Sequence, residues 1–174
     1  MCCNDGIDIH WNQIDDVKMA LDKAMMGKLC VQAWLGVSHV LFLGFGESII
    51  PAPVSGEHHP LLEYELQIDS ANWWVEDESG IIGTSEQDRQ MADSTAGHLI
   101  GRKVVGWQFT DPIAALEISF EGGLMLKMSP YADGDVSDED AWVLRMPIYY
   151  GYMKWDGTFG VGCRDHYFTD SSGC

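Results

Sequence analysis

The chain has 174 residues, a formal net charge of −17 and 46% hydrophobic residues, which is enough apolar material for one compact domain with its own core. The charge disfavours direct binding to nucleic acid or to anionic membrane surfaces, because both are negatively charged themselves. No apolar run reaches the roughly 18 residues that cross a bilayer, and the first residues lack the pattern of a signal peptide, so we expect a cytoplasmic protein without membrane contact.

The N-terminal segment, residues 1–28, contains the first predicted element, a helix over residues 16–26. Its apolar residues recur at helical spacing on one face, namely Val17, Ala20, Leu21, Ala24 and Met25. Asp15 is expected to cap the start of this helix and Gly27 to end it. The apolar face predicts that the helix packs on a sheet.

A first β half is predicted over residues 29–79, where apolar and polar residues alternate. The clearest strand covers residues 61–69. One side of it carries Leu62, Tyr64, Leu66 and Ile68, and the other side carries Glu63, Glu65, Gln67 and Asp69. This pattern predicts a half-buried strand with an acidic outer face. Trp73 and Trp74 are neighbours on a following strand, so one should face inward and the other outward. The outward ring is either an exposed part of a binding surface, or both rings are largely buried by packing or dimerisation.

A connector over residues 80–100 precedes a second β half over residues 101–174. Within the connector, Ser85 to Asp88 resembles a capping box, which predicts a short helix through Arg89, Met91 and Ala92. In the second half, alternating segments lie on both sides of residues 121–123, Glu-Gly-Gly. This arrangement predicts an antiparallel hairpin.

The two halves carry the same features in the same order. A Gly-Lys or Gly-Arg step opens each half, and tryptophans follow in each, at Trp34 and Trp73 and then at Trp107 and Trp142. We therefore predict an α+β fold that is mainly antiparallel β, with two related β-meander halves, one N-terminal helix and a short connecting helix, in one compact domain. Two unrelated meanders are the alternative.

Acidic residues are concentrated in two places. No lysine or arginine lies between Lys28 and Arg89, although this interval holds many carboxylates, and a second acidic run covers residues 133–140. Such surfaces attract basic partners. The candidate partner-binding residues are Glu63, Glu65, Trp74, Glu76, Asp77, Glu78, Asp133, Asp135, Asp138, Glu139 and Asp140.

The acidic run over residues 133–140 does not match the EF-hand template for calcium binding, because Asp138 stands where that template has glycine. We therefore expect no metal site there.

Two small clusters contain residue types that occur in hydrolases. His58 and His59 could contribute to a zinc site, and Cys163 with His166 combines a thiol with a base. Neither spacing is diagnostic, and the sequence contains no nucleotide-binding or serine-hydrolase motif. We expect no catalytic residue and no cofactor, with a metal-dependent or cysteine hydrolase as the open alternative.

The cysteines indicate reduced thiols, because they are odd in number and show no regular spacing of the kind that forms a disulfide framework. They are Cys2, Cys3, Cys30, Cys163 and Cys174. Cys30 is expected in the core.

The second half resembles small bacterial β-rich proteins, some of which are immunity proteins encoded beside secreted toxins. The resemblance is carried by residues 99–105, by Phe120-Glu-Gly-Gly and by Trp142, and it covers about a third of the chain. It implies a stoichiometric, acidic inhibitor that occludes the active site of a toxin. It transfers no functional residue to this chain.

The leading hypothesis is a non-enzymatic acidic binding protein, of the immunity or inhibitor type, that blocks a basic toxin or nucleic-acid-binding partner. Its mechanism would be electrostatic steering followed by burial of a few aromatic anchors. A protein that binds or sequesters a small ligand, with a pocket at the junction of the halves or of a homodimer, is a second hypothesis.

Overall fold

The computed structural model describes residues 13–50, 61–110, 114–131, 139–147 and 149–163. Within these ranges the chain forms two helices, α1 (Ile14–Met25) and α2 (Arg89–Gly97), and eleven strands. The strands of the first half and the connector are β1 (Cys30–Leu35), β2 (Leu41–Ile50), β3 (Leu61–Ile68), β4 (Ala71–Asp77) and β5 (Gly80–Thr84). Those of the second half are β6 (Val104–Thr110), β7 (Ala115–Phe120), β8 (Leu124–Pro130), β9 (Asp140–Arg145), β10 (Tyr149–Lys154) and β11 (Phe159–Cys163).

The strands form two antiparallel sheets. The first sheet has the order β1-β2-β3-β9-β10-β11 and the second has the order β5-β4-β8-β7-β6. The prediction of an α+β fold that is mainly antiparallel β is confirmed. Of the two described helices, neither is long and apolar enough to cross a membrane.

The two halves of the chain exchange strands between the sheets. Each half begins with a three-stranded meander that follows a helix, β1-β2-β3 after α1 in the first sheet and β6-β7-β8 after α2 in the second. The strands that follow each meander then cross to the other sheet, so that β4 pairs with β8 and β9 pairs with β3. Each sheet is therefore completed by the other half, and neither half forms a sheet from its own strands alone.

A local two-fold symmetry relates the starts of the two meanders. Gly27 and Gly101 lie 74 positions apart, and both have a positive φ, 71° and 79°, that glycine adopts easily. The residues that follow them form a short antiparallel bridge whose hydrogen bonds match pairwise. In the first pair, the N–H of Gly27 donates to the carbonyl of Val104 at 3.0 Å, and the N–H of Gly101 donates to the carbonyl of Cys30 at 2.7 Å. In the second pair, the N–H of Cys30 donates to the carbonyl of Arg102 at 2.9 Å, and the N–H of Val104 donates to the carbonyl of Lys28 at 3.0 Å. The seam between the sheets thus repeats the same contacts for each half.

Two equivalent tryptophans anchor the core, which is one buried cluster built from both sheets and both helices. Trp73 on β4 and Trp142 on β9 are almost fully buried. The indole N–H of Trp73 donates to the carbonyl of His39 at 3.0 Å, and that of Trp142 donates to the carbonyl of Ala114 at 3.2 Å. Each acceptor lies just before the second strand of its meander. Cys30 is fully buried as predicted, and this burial raises the pKa of its thiol to about 12.

Helix α1 begins earlier than the sequence predicts. Asp15 was expected to cap it, but Asp15 lies in the first turn and Gln13 is the capping residue. The backbone N–H of Gln13 donates to the carboxylate of Asp16 at 3.2 Å, which satisfies a backbone donor just outside the helix. The helix ends before Gly27, as predicted.

The connector contains the predicted helix and, in addition, the unpredicted strand β5. Asp88 caps α2 by accepting from the N–H of Met91 at 3.1 Å. Ser85, which was expected to be the capping residue, is buried instead, and its hydroxyl accepts from the N–H of Trp73 at 3.2 Å. The predicted hairpin between β7 and β8 is confirmed, with both glycines of its turn at positive φ.

Candidate functional site

The predicted partner-binding residues lie in three separate places. Trp74, Glu76 and Asp77 are on β4, and Glu78 follows in the turn to β5. Glu139 and Asp140 lie at the start of β9, and Glu63 and Glu65 lie on β3, the neighbouring strand of the first sheet. Asp133, Asp135 and Asp138 lie outside the described residues. The structure therefore brings β4 and the following turn together, and it separates them from the two glutamates of β3.

Glu65 is buried on the outer side of the first sheet. It is 5% exposed and forms an ion pair with Arg145, which the exchange of strands places directly opposite it. The other guanidinium nitrogen of Arg145 donates to the side-chain oxygen of Gln67 at 2.5 Å. The expectation of an exposed acidic face is therefore wrong at the centre of β3, because a cation from the second half covers it.

Leu62 also departs from the predicted alternation. A Cβ at Gly44 would come within 2.1 Å of the Cδ1 of Leu62, and Gly44 pairs with Glu65, so Leu62 lies on the outer face rather than in the main core. An irregular register between Phe45 and Ser48 accompanies this change of side. Glu63 stays half-buried beside Gly46.

The outer face of the second sheet carries a polar row in strict register. The row runs across all five strands through Thr84, Trp74, Lys127, Glu117 and Gln108. The ammonium group of Lys127 is 2.5 Å from a carboxylate oxygen of Glu76 and 3.7 Å from one of Glu117. These carboxylates, with the Glu76 hydrogen bond as the main cause, raise the pKa of Lys127. This lysine is therefore already compensated by two acids.

A pocket of about 260 Å³ opens on this face beside Trp74. Its lining includes Asn72, Trp74, Ile81, Thr84, Ser85 and Glu86. The indole N–H of Trp74 donates to Glu76 at 3.3 Å, which holds the half-buried ring in place. Ile81 is 63% exposed, so the pocket combines an accessible apolar wall and an aromatic ring with the carboxylate of Glu86.

A second group of acids lies where the chain crosses between the sheets. Burial raises the pKa of Asp69, and the nearby carboxylate of Glu139 raises it further, although a hydrogen bond from Gln67 acts in the opposite direction. Burial also raises the pKa of Asp140, against the opposing effect of Lys154. Tyr131 has a raised pKa because of burial and of nearby carboxylates that include Asp69 and Glu86. Glu86 thus belongs both to the pocket and to the acidic surroundings of this tyrosine.

The two halves provide an internal comparison for Trp74. Trp73 pairs with Met128 in the same way that Trp142 pairs with Ile68, so the next residues, Trp74 and Val143, occupy equivalent positions. Val143 is 1% exposed, whereas Trp74 is half-buried. Both halves have a tryptophan at the core position, Trp73 and Trp142, but at the next position the second half has valine where the first half has Trp74. The indole of Trp74 is therefore not explained by the fold.

Comparison of the chain with protein-family models, with curated proteins and with solved structures found no match. Among the described residues, no group of three or more His, Cys, Asp or Glu is placed to hold a metal ion. His58, His59 and His166 of the hydrolase alternative lie outside those residues.

Trp74 was predicted from the sequence, whereas its neighbours in the pocket, Asn72, Ile81 and Thr84, were not. Two of them, Ile81 and Thr84, lie on β5, whose two glycines in five residues hid a strand in the connector. The signal that could have found it is the pair of adjacent isoleucines that directly follows the turn after Asp77.

Proposed function

We propose that this chain is a non-enzymatic binding protein that docks on a basic partner protein through the face around Trp74. The docking face consists of the Trp74 pocket, the acidic turn between β4 and β5, and the acids at the crossover between the sheets. Its partner is of the nucleic-acid-binding kind, since proteins that neutralise phosphates carry basic surfaces. The resemblance noted in the sequence favours inhibition as the purpose of the complex.

The observation that carries the proposal is Trp74 itself. It is a large ring, partly exposed beside a pocket, at a position where the other half of the same fold has a buried valine. Tryptophan is enriched among the residues that dominate binding energy at interfaces. The ring therefore supports a role as the aromatic anchor of a complex.

The charges around the anchor support a basic partner. Asp69 and Asp140 both have raised pKa values, chiefly because of burial, so their ionised forms are under-stabilised in the free protein. A lysine or arginine from a partner would stabilise these carboxylates. The overall charge of −17 would also accelerate the encounter with a basic protein.

The test compares three immobilised baits in lysate from the native host. They are the wild-type chain, W74V, which installs the residue found at the equivalent position, and E47Q, which removes one exposed carboxylate on β2 in the other sheet. A basic protein should be retained by the wild type and by E47Q and lost by W74V. Retention of the same proteins by all three baits would contradict the proposal.

The captured partner then permits a kinetic test of the electrostatic part. Its association rate constant with the wild-type chain should fall about tenfold or more between low and physiological salt, because screening shortens the range of steering. The dissociation rate should instead respond mainly to W74V, because buried anchors determine how long the complex lasts. An association rate that is independent of salt would exclude acidic docking.

A further inference from the structure

We infer that the Trp74 pocket is a receptor for a single arginine side chain of the partner. This inference rests on the proposed function, because it names the group that the docking face would recognise.

The size of the pocket fits one side chain. Its volume of about 260 Å³ lies below the roughly 300–1,000 Å³ of sites that enclose drug-sized ligands. It is also open to solvent on the outer face of the sheet, where Ile81 is 63% exposed. A long side chain that projects from a partner surface can enter such a site without the partner backbone entering it.

The walls favour a flat cation with an apolar stem. A guanidinium group stacks on aromatic rings and is less strongly hydrated than an ammonium group. Trp74 offers the ring, and its N–H bond to Glu76 fixes the orientation of that ring. Ile81 offers an apolar surface for the methylene groups of the incoming side chain. Arginine uses both surfaces, whereas lysine would use chiefly the second.

The rim supplies acceptors and a negative charge. Glu86 is exposed at the edge of the pocket, and Asn72 and Thr84 add side-chain oxygens. Arginine has five N–H donors and no acceptor, so a site rich in oxygen atoms suits it. Lys127 does not oppose an incoming cation strongly, since Glu76 and Glu117 already compensate its charge. An anionic ligand would meet the carboxylate of Glu86 and be repelled.

The direct test uses Nα-acetyl-arginine amide, which carries only the guanidinium charge. Its matched probe is Nα-acetyl-citrulline amide, which keeps the shape and loses the charge. Each is titrated into the uniformly labelled full chain and followed by two-dimensional NMR. Saturable shifts are expected at the Trp74 indole and at the amides of Asn72 and Thr84. The citrulline probe should bind about tenfold more weakly or worse, because hydrogen bonds to a charged group are lost.

Variants separate the ring from the carboxylate. W74F keeps an aromatic face and should retain most of the affinity for the arginine probe, whereas W74V should lose it. E86Q should weaken binding several-fold, and E47Q, with the same change of charge in the other sheet, should not weaken it. Equal binding of the citrulline probe, or binding unaffected by W74V, would overturn the inference.

The two proposals can fail separately. If W74V abolishes capture of a basic partner but the arginine probe does not shift the pocket, the arginine receptor is wrong and the docking face stands. If the probe binds as expected but the partner is captured equally by W74V, the proposed function is wrong and the pocket keeps its ligand class.

Discussion

Replacing Arg145 with methionine should destabilise the protein strongly. The substitution keeps much of the apolar stem, but it removes the cation that pairs with Glu65, a carboxylate only 5% exposed. It also removes the donor to Gln67 at 2.5 Å. Breaking a buried ion pair from one side typically costs about 3–5 kcal/mol, since the remaining charge stays buried without compensation. With a urea m-value of about 2 kcal/mol/M, the midpoint of unfolding should fall by about 2 M.

The cause of this loss can be checked with a second substitution. The double variant E65Q/R145M should be more stable than R145M, because a neutral amide needs no counter-charge. Urea unfolding monitored by tryptophan fluorescence compares the wild type, R145M and the double variant. A loss below about 1 kcal/mol for R145M, or a deficit that E65Q does not reduce, would refute the reasoning.

Three further predictions concern packing, titration and reactivity. G44A should cost about 1–3 kcal/mol in urea unfolding because its Cβ would meet Leu62 at 2.1 Å, whereas G106A, whose nearest neighbour is 3.8 Å away, should cost less than about 1; equal losses would contradict the clash. The pKa of Asp69 is raised in the folded state, so the free energy of unfolding should fall as pH rises from the ordinary carboxyl pKa through the raised one, and D69N should flatten this profile. An unchanged profile would show that Asp69 does not titrate as stated. The pKa of Cys30 is about 12, so in a chain with the other cysteines replaced by serine, iodoacetamide at about pH 8 should modify this thiol only after unfolding; rapid labelling of the folded chain would contradict its burial.

Local sequence patterns predicted the elements but not their assembly. Helical spacing located α1, and the Glu-Gly-Gly turn located the hairpin between β7 and β8, because both signals lie within a few residues. The pairing of β3 with β9 joins Glu65 to Arg145, which are 80 positions apart in the chain. No pattern within β3 contains that information. The exchange of strands therefore had to come from the structure.

The candidate site was predictable only to the extent that it depends on alternation. Because neighbours on a strand face opposite sides, the sequence predicted that Trp73 and Trp74 point to opposite faces, and the structure has Trp73 in the core and Trp74 half-buried on the outer face. It could not say which acids would remain exposed, since Glu65 and Glu76 look alike in the sequence. It also could not describe the pocket, one side of which is built by the unpredicted strand β5.

The exchange of strands has a consequence for the order of events during synthesis. As the chain leaves the ribosome from its N-terminus, β3 and β4 emerge well before β9 and β8, the strands that complete their pairing. For that interval the nascent first half has unpaired strand edges, which are the usual starting points of aggregation. The same interval coincides with residues 29–88, which contain many carboxylates and no lysine or arginine. Repulsion between like charges keeps incomplete chains apart, so the acidity of the first half should reduce their aggregation.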